Sequence, residues 1–360
     1  MSGPLLNRKS GLAPQARGRA ALAALGLWLL LCVSFRGAGA EAGGLEGGAA
    51  LWLGGDVYLG DGGLPEPWLA PALQQALAAA GPSAGIVNLE GPLCAGVGGS
   101  APASAQAPDS ALRLCQGPQV PAALFAAGVR VAGIVNNHAA DGGPAGAPRT
   151  MAALRGAGVL PAGGAAGAAL LTLPLGVEGA GRRTPIAGAA PLRVVVSAHD
   201  LSAGLPPGLA ARLREERTRG EVLVVTFHVT GPPSYLPSAL LRQAVELALA
   251  SGAQVVAAHG SHVVGAVERR GAALIAWGLG NLAFACTCTS EAEGLVLRVR
   301  LQRSAAGVQV TGEVLPIAVG LLPSRARGPA RLAADAAAIF DLLDARGGGA
   351  LRRRGFKAEL

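Results

Sequence analysis

The chain has 360 residues, of which 51% are hydrophobic and 14% are charged, and its formal net charge is +8. This length is enough for one large hydrophobic core or for two smaller ones. Five Lys and Arg residues and no acidic residue lie in the first 40 positions, so the rest of the chain carries a formal charge of only +3. So small a charge gives no reason to expect a nucleic-acid partner.

The first 40 residues resemble a signal peptide. Four basic residues precede the apolar run 20–35, and the small residues Ala38, Gly39 and Ala40 follow it. This layout predicts that the protein is exported to the periplasm or the cell surface and that the mature chain begins near Glu41. The alternative is that residues 20–35 remain as an uncleaved membrane anchor, although this run is short for a transmembrane helix.

From residue 50 onward, short apolar runs alternate with segments of helical pattern. Strands are predicted at 50–56, 84–90, 129–135, 192–199, 222–227 and 253–258, and helices at 67–80, 120–127, 144–157, 207–218 and 236–251. The apolar runs are continuous, as in buried parallel strands that alternate with helices. The segment 92–118 is rich in Gly, Ala, Ser and Pro and is predicted to be a long loop.

The pattern changes after Val263. The runs 265–269, 272–277, 294–302 and 307–318 are separated by short turns. We expect antiparallel strands there, on a sheet edge or in a second sheet, followed by an Ala-rich helix over 330–345. The chain is therefore predicted to fold as an α/β protein.

Four cysteines follow the leader, an even number in a compartment that permits disulfides. Cys94 and Cys115 enclose a loop of small residues and are predicted to form a disulfide. Cys286 and Cys288 are a second candidate pair; a soft-metal site is the alternative, but no further thiol pair at matching spacing supports it.

All five histidines follow strand-like apolar runs: His138, His199, His228, His259 and His262. Asp56 and Glu90 also stand at the ends of such runs. The carboxyl ends of parallel strands meet at one edge of a sheet, where ligands bind. Imidazoles and carboxylates that converge there predict a metal site, because neutral imidazole and carboxylate oxygen suit Zn²⁺, Mn²⁺ or Fe²⁺.

The sequence Asn136-Asn137-His138 is the strongest local motif. Amide oxygens can ligate a metal ion, and a neighbouring histidine can act as a general acid. An Asx turn with a capping histidine is the alternative, and the turn residues that begin at Asp141 are compatible with both. His199 and the adjacent Asp200 belong to no motif, and we interpret them as structural or peripheral.

Other catalytic classes lack their sequence motifs. The phosphate-binding pattern GxxxxGK[ST] and the serine-hydrolase pattern GxSxG do not occur. Their absence favours the metal site over a nucleotide-binding loop or a serine nucleophile.

Taken in order, these motifs resemble the poly-γ-glutamate capsule-biosynthesis (CapA-type) family. The resemblance extends over roughly residues 50–320. It rests on the following positions: Gly55-Asp56, Asn88-Leu89-Glu90, Asn136-Asn137-His138 with Asp141 and Gly143, Thr150, His228, His259 with His262, and Leu279-Gly280-Asn281-Leu282. The family is similar in fold to the calcineurin-like metallophosphoesterases. The resemblance therefore implies a metallophosphatase-like α/β/β/α sandwich with one main domain and its site at the carboxyl ends of the strands.

The resemblance also implies roles for individual residues. The expected ligands of one or two divalent ions (Mn²⁺, Zn²⁺ or Fe²⁺) are Asp56, Asn137, His228, His259 and His262. His138 is expected to be the catalytic acid, and Glu90 a general base or a further ligand. Residues expected to contact the substrate or to orient the ligands are Asn88, Asn136, Asp141 and Asn281.

We therefore expect a leader over residues 1–40, a CapA-like domain over 47–320, and a C-terminal helix with a basic tail over 321–360. The expected partners are an anionic cell-surface polymer such as poly-γ-glutamate and membrane-embedded components of capsule synthesis, with no nucleic acid. Three functions remain open: a metal-dependent hydrolase that acts on the polymer, a non-catalytic subunit that binds it, and a plain metallophosphoesterase.

Overall fold

The structure is a computed structural model. It describes residues 47–60, 67–78, 83–95, 112–179, 182–231, 234–323, 328–347, 352–354 and 357–359. The predicted signal segment 1–40 and most of the predicted loop 92–118 lie outside the described residues. Among the described residues, no helix is long and apolar enough to span a membrane.

Six α-helices lie in the described part of the chain, each close to a predicted helix. They are α1 Pro71–Ala78, α2 Val120–Ala126, α3 Gly146–Gly156, α4 Leu209–Arg217, α5 Ala239–Ala250 and α6 Ala336–Gly347. Most of them begin two or more residues later than predicted. Residues 144–145 and 207–208, before α3 and α4, form turns, and the predicted start of α6 contains a short strand at Arg331–Leu332. At α5 the Ser238 side chain accepts a hydrogen bond from the Leu241 N–H, and this N-cap determines where the helix begins.

The described strands number eighteen. They are β1 Gly48–Tyr58, β2 Ser83–Leu89, β3 Val129–Gly133, β4 Leu160–Ala162, β5 Ala169–Leu173, β6 Gly176–Gly179, β7 Arg182–Pro185, β8 Leu192–Asp200, β9 Val222–His228, β10 Val255–His259, β11 Val267–Arg270, β12 Ala273–Ala276, β13 Asn281–Phe284, β14 Glu293–Ser304, β15 Gly307–Ala318, β16 Arg331–Leu332, β17 Arg352–Arg354 and β18 Lys357–Glu359.

The first sheet has the strand order β16-β15-β14-β1-β2-β3-β4. Strands β1 to β4 are parallel, whereas β14, β15 and β16 continue the sheet in antiparallel fashion from β1. Strand β13 also pairs in parallel with the end of β1, where Asp56 lies opposite Asn281. The predicted antiparallel pair at 294–318 is therefore confirmed, and it extends the main sheet beside its central strand.

The second sheet has the order β11-β12-β10-β9-β8-β5. Strands β8, β9, β10 and β12 are parallel, and β5 and β11 are antiparallel edge strands. The prediction that the run 272–277 is only antiparallel was wrong, because β12 pairs in parallel with β10 as well as antiparallel with β11. Strands β4 to β7 had no counterpart in the predicted elements.

The main core lies between the two sheets. Leu53 and Ile86 of the first sheet and Val196, Val224 and Ala257 of the second belong to one buried cluster. Alternate residues of a strand point to opposite faces, so these positions share the inward faces of their sheets. Helix α6 adds three apolar side chains to this core.

Helices cover the outer faces of both sheets. Leu73 of α1, Leu124 of α2 and Leu154 of α3 belong to the buried cluster on the first sheet. Leu213 of α4 and Val245 of α5 belong to the cluster on the second. The layers are therefore helix, sheet, sheet, helix, which confirms the predicted α/β/β/α sandwich.

Candidate metal centre

The polar side chains at the strand ends meet between the two sheets. Asp56 of β1 lies in register with Asn88 of β2, and His228 of β9 lies in register with His259 of β10. All four side chains are buried. Alternate residues of each strand point into the space between the two sheets. At the carboxyl ends of the strands these polar side chains enter that space, next to the apolar core.

Two carboxylates form the centre of this cluster. Asp56 and Glu90 are both fully buried, at 0% exposure. The Asn88 amide connects them, because its Nδ2 donates to Asp56 Oδ1 at 2.8 Å and to Glu90 Oε2 at 2.5 Å. The Asn136 amide donates in turn to Asn88 Oδ1 at 3.2 Å. Buried carboxylates are costly unless cations or donors compensate them, so this arrangement requires positive charge nearby.

Three histidines surround the carboxylates. His259 Nδ1 is 3.3 Å from Asp56 Oδ1, and His262 Nδ1 is 3.2 Å from Asp56 Oδ2. His228 Nε2 is 3.3 Å from Glu90 Oε1. The Asn281 Oδ1 also accepts from His262 Nδ1 at 2.9 Å. The chain thus brings the three histidines expected as metal ligands onto two adjacent carboxylates.

The ion pairs shift the pKa values of these groups. Burial alone would raise the pKa of Asp56, but the adjacent His259 and His262 imidazoles hold it well below its usual range. Burial would lower the pKa of His228, but Asp200 and Glu90 outweigh it and raise this pKa to about 10. Against the same effect of burial, Asp56 raises the pKa of His262 to about 9. Without a metal ion, both imidazoles are therefore cations at neutral pH.

A tight turn after β10 shapes one wall of the site. The Gly260 N–H donates to Asp56 Oδ2 at 2.9 Å. Gly260 has φ +85°, and a Cβ there would lie 2.5 Å from His228 Nε2. His262 has φ 57°, which is rare for a residue with a side chain. Such strain is typical of functional sites, and here it places the His262 ring beside Asp56.

The Asn136-Asn137-His138 motif forms both a turn and part of the cluster. Asn136 is buried and its Oδ1 accepts from the His138 N–H, which is the Asx turn considered above. Asn137, the expected ligand, is exposed, so the amide that joins the buried network is that of Asn136. His138 Nδ1 lies 2.8 Å from Asp141 Oδ2, and both side chains are mostly buried.

The structure corrects the interpretation of Asp200. Asp200 Oδ1 lies 3.6 Å from His228 Nδ1, so Asp200 belongs to the cluster and is not peripheral. Burial would raise its pKa, but the adjacent His228 imidazole and hydrogen bonds from Ser202 hold it below the usual value. Its position at the end of an apolar run was the sequence signal, the same one that identified Asp56 and Glu90.

His199 lies away from the cluster. Its Nε2 is 2.8 Å from Ser197 Oγ, and its ring lies 5.9 Å from that of Phe227, which packs on the helix-covered face. Burial, with a smaller contribution from Arg212, lowers the pKa of His199 to about 4. His199 is therefore a neutral, structural histidine.

Comparison with known proteins identifies the family. Residues 50–285 match the model of the bacterial capsule synthesis protein family PGA_cap. The chain belongs to this family.

The PGA_cap match spans β1 to β13 and includes every residue of the cluster described above. Among solved structures, the chain is similar to a hypothetical protein from Thermus thermophilus, at 14% identity and a TM-score of 0.40. That likeness covers 74% of this chain and 99% of the other. A search of curated proteins found no match.

The donor atoms of this PGA_cap member fit a divalent cation in type and spacing. Buried atoms without a hydrogen-bond partner include Glu90 Oε1, both ring nitrogens of His228 and His259 Nδ1. Two atoms bonded to one ion at about 2.0–2.2 Å lie about 2.8–3.6 Å apart, from octahedral to tetrahedral geometry. The distances of 3.2–3.3 Å between carboxylate oxygens and imidazole nitrogens fall in this range.

The arrangement is nevertheless pairwise. The described residues contain no group of three or more His, Cys, Asp or Glu side chains already arranged to hold a metal ion. In this PGA_cap member, each imidazole faces its own carboxylate oxygen. The His228 and His262 imidazolium groups supply positive charge beside the buried carboxylates.

Both predicted cysteine pairs are bonded in the structure. Cys94 joins Cys115, and Cys286 joins Cys288. The first disulfide lies beside a bridge between Leu93 and Gln116, and the Gln116 amide donates to the Glu90 carbonyl at 2.7 Å. It therefore lies next to the carboxylate–histidine cluster of this PGA_cap member.

Replacing Cys94 and Cys115 together by serine is expected to lower the free energy of unfolding by about 3 kcal/mol, since the bond closes a loop of 21 residues. Urea denaturation of the oxidised proteins measures this change. The matched control is the Cys286→Ser/Cys288→Ser variant, whose much shorter loop predicts about half the loss. Equal stability of the Cys94→Ser/Cys115→Ser variant and the wild type would contradict the prediction.

Proposed function

We propose that this PGA_cap family member is an exported, metal-dependent hydrolase that acts on an anionic cell-surface polymer such as poly-γ-glutamate during capsule synthesis. The observation that carries the proposal is the buried cluster of two carboxylates and three histidines at the strand ends. A purely structural core has little use for five ionisable groups, because each of them costs free energy to bury.

The cluster requires a cation before it can receive an anionic substrate. Asp56 and Glu90 would repel a carboxylate or a phosphate, and the imidazolium charges are already paired with them. A divalent ion would satisfy the unpartnered atoms of Glu90, His228 and His259. The proposed ligands of Mn²⁺, Zn²⁺ or Fe²⁺ are Asp56, Glu90, His228, His259 and His262.

When bound, the cation would polarise the scissile group and lower the pKa of a water molecule. His138 is the proposed acid, because Asp141 holds its Nδ1 and so leaves Nε2 as the nitrogen that exchanges a proton. Glu90, if it does not bind the cation, is the proposed general base. The hydrogen bond from the Leu114 N–H to Asp141 Oδ2, 2.7 Å long, fixes the carboxylate that orients His138.

A non-catalytic role is the second candidate. The pairwise arrangement of carboxylates and imidazoles, with no group of three already arranged for a metal among the described residues, favours a subunit that binds polymer without cleaving it. In that case the region around the carboxylate–histidine cluster would contact membrane-embedded components of capsule synthesis as well as the polymer.

Incubation of the purified protein with Mn²⁺ and either poly-γ-glutamate or a panel of phosphodiesters distinguishes these functions. We expect the protein to shorten polyglutamate chains and to lose this activity when a chelator removes the metal. In His138→Ala the cleavage should be about 10²- to 10⁴-fold slower, whereas the Mn²⁺ affinity should not change. Binding of intact polymer without cleavage would indicate the scaffold role. Cleavage of the phosphodiesters alone would indicate a phosphoesterase.

A further inference from the structure

Asp200 lies directly beside His228. The two residues end the neighbouring parallel strands β8 and β9 and are paired in register. Asp200 Oδ1 is 3.6 Å from His228 Nδ1, and the Leu201 N–H donates to the His228 carbonyl at 2.9 Å. The carboxylate therefore faces the side of the imidazole ring that points away from Glu90.

Two hydrogen bonds from Ser202 hold the Asp200 carboxylate in place. Its Oδ1 accepts from the Ser202 N–H at 3.0 Å and from the Ser202 hydroxyl at 2.6 Å. The same hydroxyl contacts the Thr230 hydroxyl, two residues after His228. These contacts connect the carboxylate to the ends of both strands, so its position relative to His228 is fixed at low entropic cost.

The two ring nitrogens of His228 consequently have different neighbours. Nε2 faces Glu90 Oε1 at 3.3 Å inside the cluster, whereas Nδ1 faces Asp200. An imidazole that binds a metal ion uses one nitrogen and donates its other N–H to a carboxylate or carbonyl. This partner fixes both the tautomer and the orientation of the ring.

We propose that Asp200 is a positioning residue that fixes the orientation of the His228 ring and so keeps Nε2 inside the cluster, where it would bind a divalent cation. This inference rests on the proposed metal site. Asp200 does not touch the cation or the substrate; it acts through His228, and Ser202 and Thr230 hold it in place.

Titration of the full chain with Mn²⁺ by calorimetry tests the inference. Asp200→Ala is expected to weaken Mn²⁺ binding about 10- to 100-fold. Asp200→Asn, which retains an acceptor oxygen, is expected to lose less. The matched control is Asp335→Ala. Among the contacts described, the Asp335 carboxylate accepts only from the Ala338 N–H near the start of α6. The Mn²⁺ affinity of this variant should equal that of the wild type.

A second measurement does not depend on the metal. The Nδ1–H proton of His228, observed by NMR in the metal-free protein, should be protected from exchange in the wild type and should exchange faster in Asp200→Ala. Wild-type Mn²⁺ affinity together with an equally protected Nδ1–H in Asp200→Ala would overturn the inference. If the wild type binds no Mn²⁺, the proposed function fails, and the Nδ1–H signal still decides whether Asp200 holds the ring.

Discussion

Replacing Asp56 by alanine is expected to abolish divalent-cation binding and to destabilise the metal-free protein by about 3–5 kcal/mol, because it leaves a buried charge uncompensated. Asp56 is fully buried, and its two oxygens contact His259, His262, the Asn88 amide and the Gly260 N–H. The loss of Mn²⁺ affinity should exceed the roughly 10- to 100-fold loss typical of a residue that only orients a ligand.

Asp56→Asn is the matched variant, because it keeps the shape of the side chain and removes its charge. It should retain the fold but bind Mn²⁺ far more weakly than the wild type does. Calorimetric titration measures affinity, and urea denaturation in the presence of a chelator measures stability. If either variant binds Mn²⁺ as tightly as the wild type does, the cation binds elsewhere in the molecule.

Replacing Gly260 by alanine is expected to impair the site by displacing His228. A Cβ at this position would lie 2.3 Å from the Val229 carbonyl oxygen and 2.5 Å from His228 Nε2, at a backbone φ of +85°. The backbone or the imidazole must therefore move. We expect a destabilisation of about 1–3 kcal/mol, typical of overpacking, and a Mn²⁺ affinity at least about tenfold lower, because Nε2 is a proposed ligand atom.

Gly271→Ala provides the control. Gly271 also has a positive φ, +59°, but a Cβ there would meet nothing within 4 Å. This variant carries the backbone strain of an alanine at positive φ without the clash. If Gly260→Ala and Gly271→Ala lose equal stability and bind Mn²⁺ equally well, the contact between Gly260 and His228 does not shape the site.

The polar residues at the strand ends were predictable from the sequence, because their position depends only on where each apolar run ends. Continuous apolar runs such as 222–227 must be buried, and the polar residue that ends each run must lie at the sheet edge. His228 and His259 followed from this rule without knowledge of the strand order. Asp200 follows the same rule, but it was interpreted as peripheral because it belonged to no recognised motif.

Other features depend on tertiary contacts that sequence patterns do not encode. The direction of pairing of β12 is one, since the same short apolar run pairs in parallel on one side and antiparallel on the other. The choice between two adjacent amides is another. Asn136 and Asn137 differ by one position in a turn, and only the turn geometry determines that Asn136 points into the cluster and Asn137 into solvent.

The metal content of the purified chain shows whether the strand-end cluster holds a divalent cation. The wild-type protein and His228→Ala are saturated with Mn²⁺, freed of unbound metal by gel filtration and analysed by mass spectrometry for the metal-to-protein ratio. We expect at least one Mn²⁺ per wild-type chain and a clearly lower ratio in His228→Ala, with both proteins folded. A folded wild-type protein that retains no metal after saturation with Mn²⁺, Zn²⁺ and Fe²⁺ in turn would contradict this expectation.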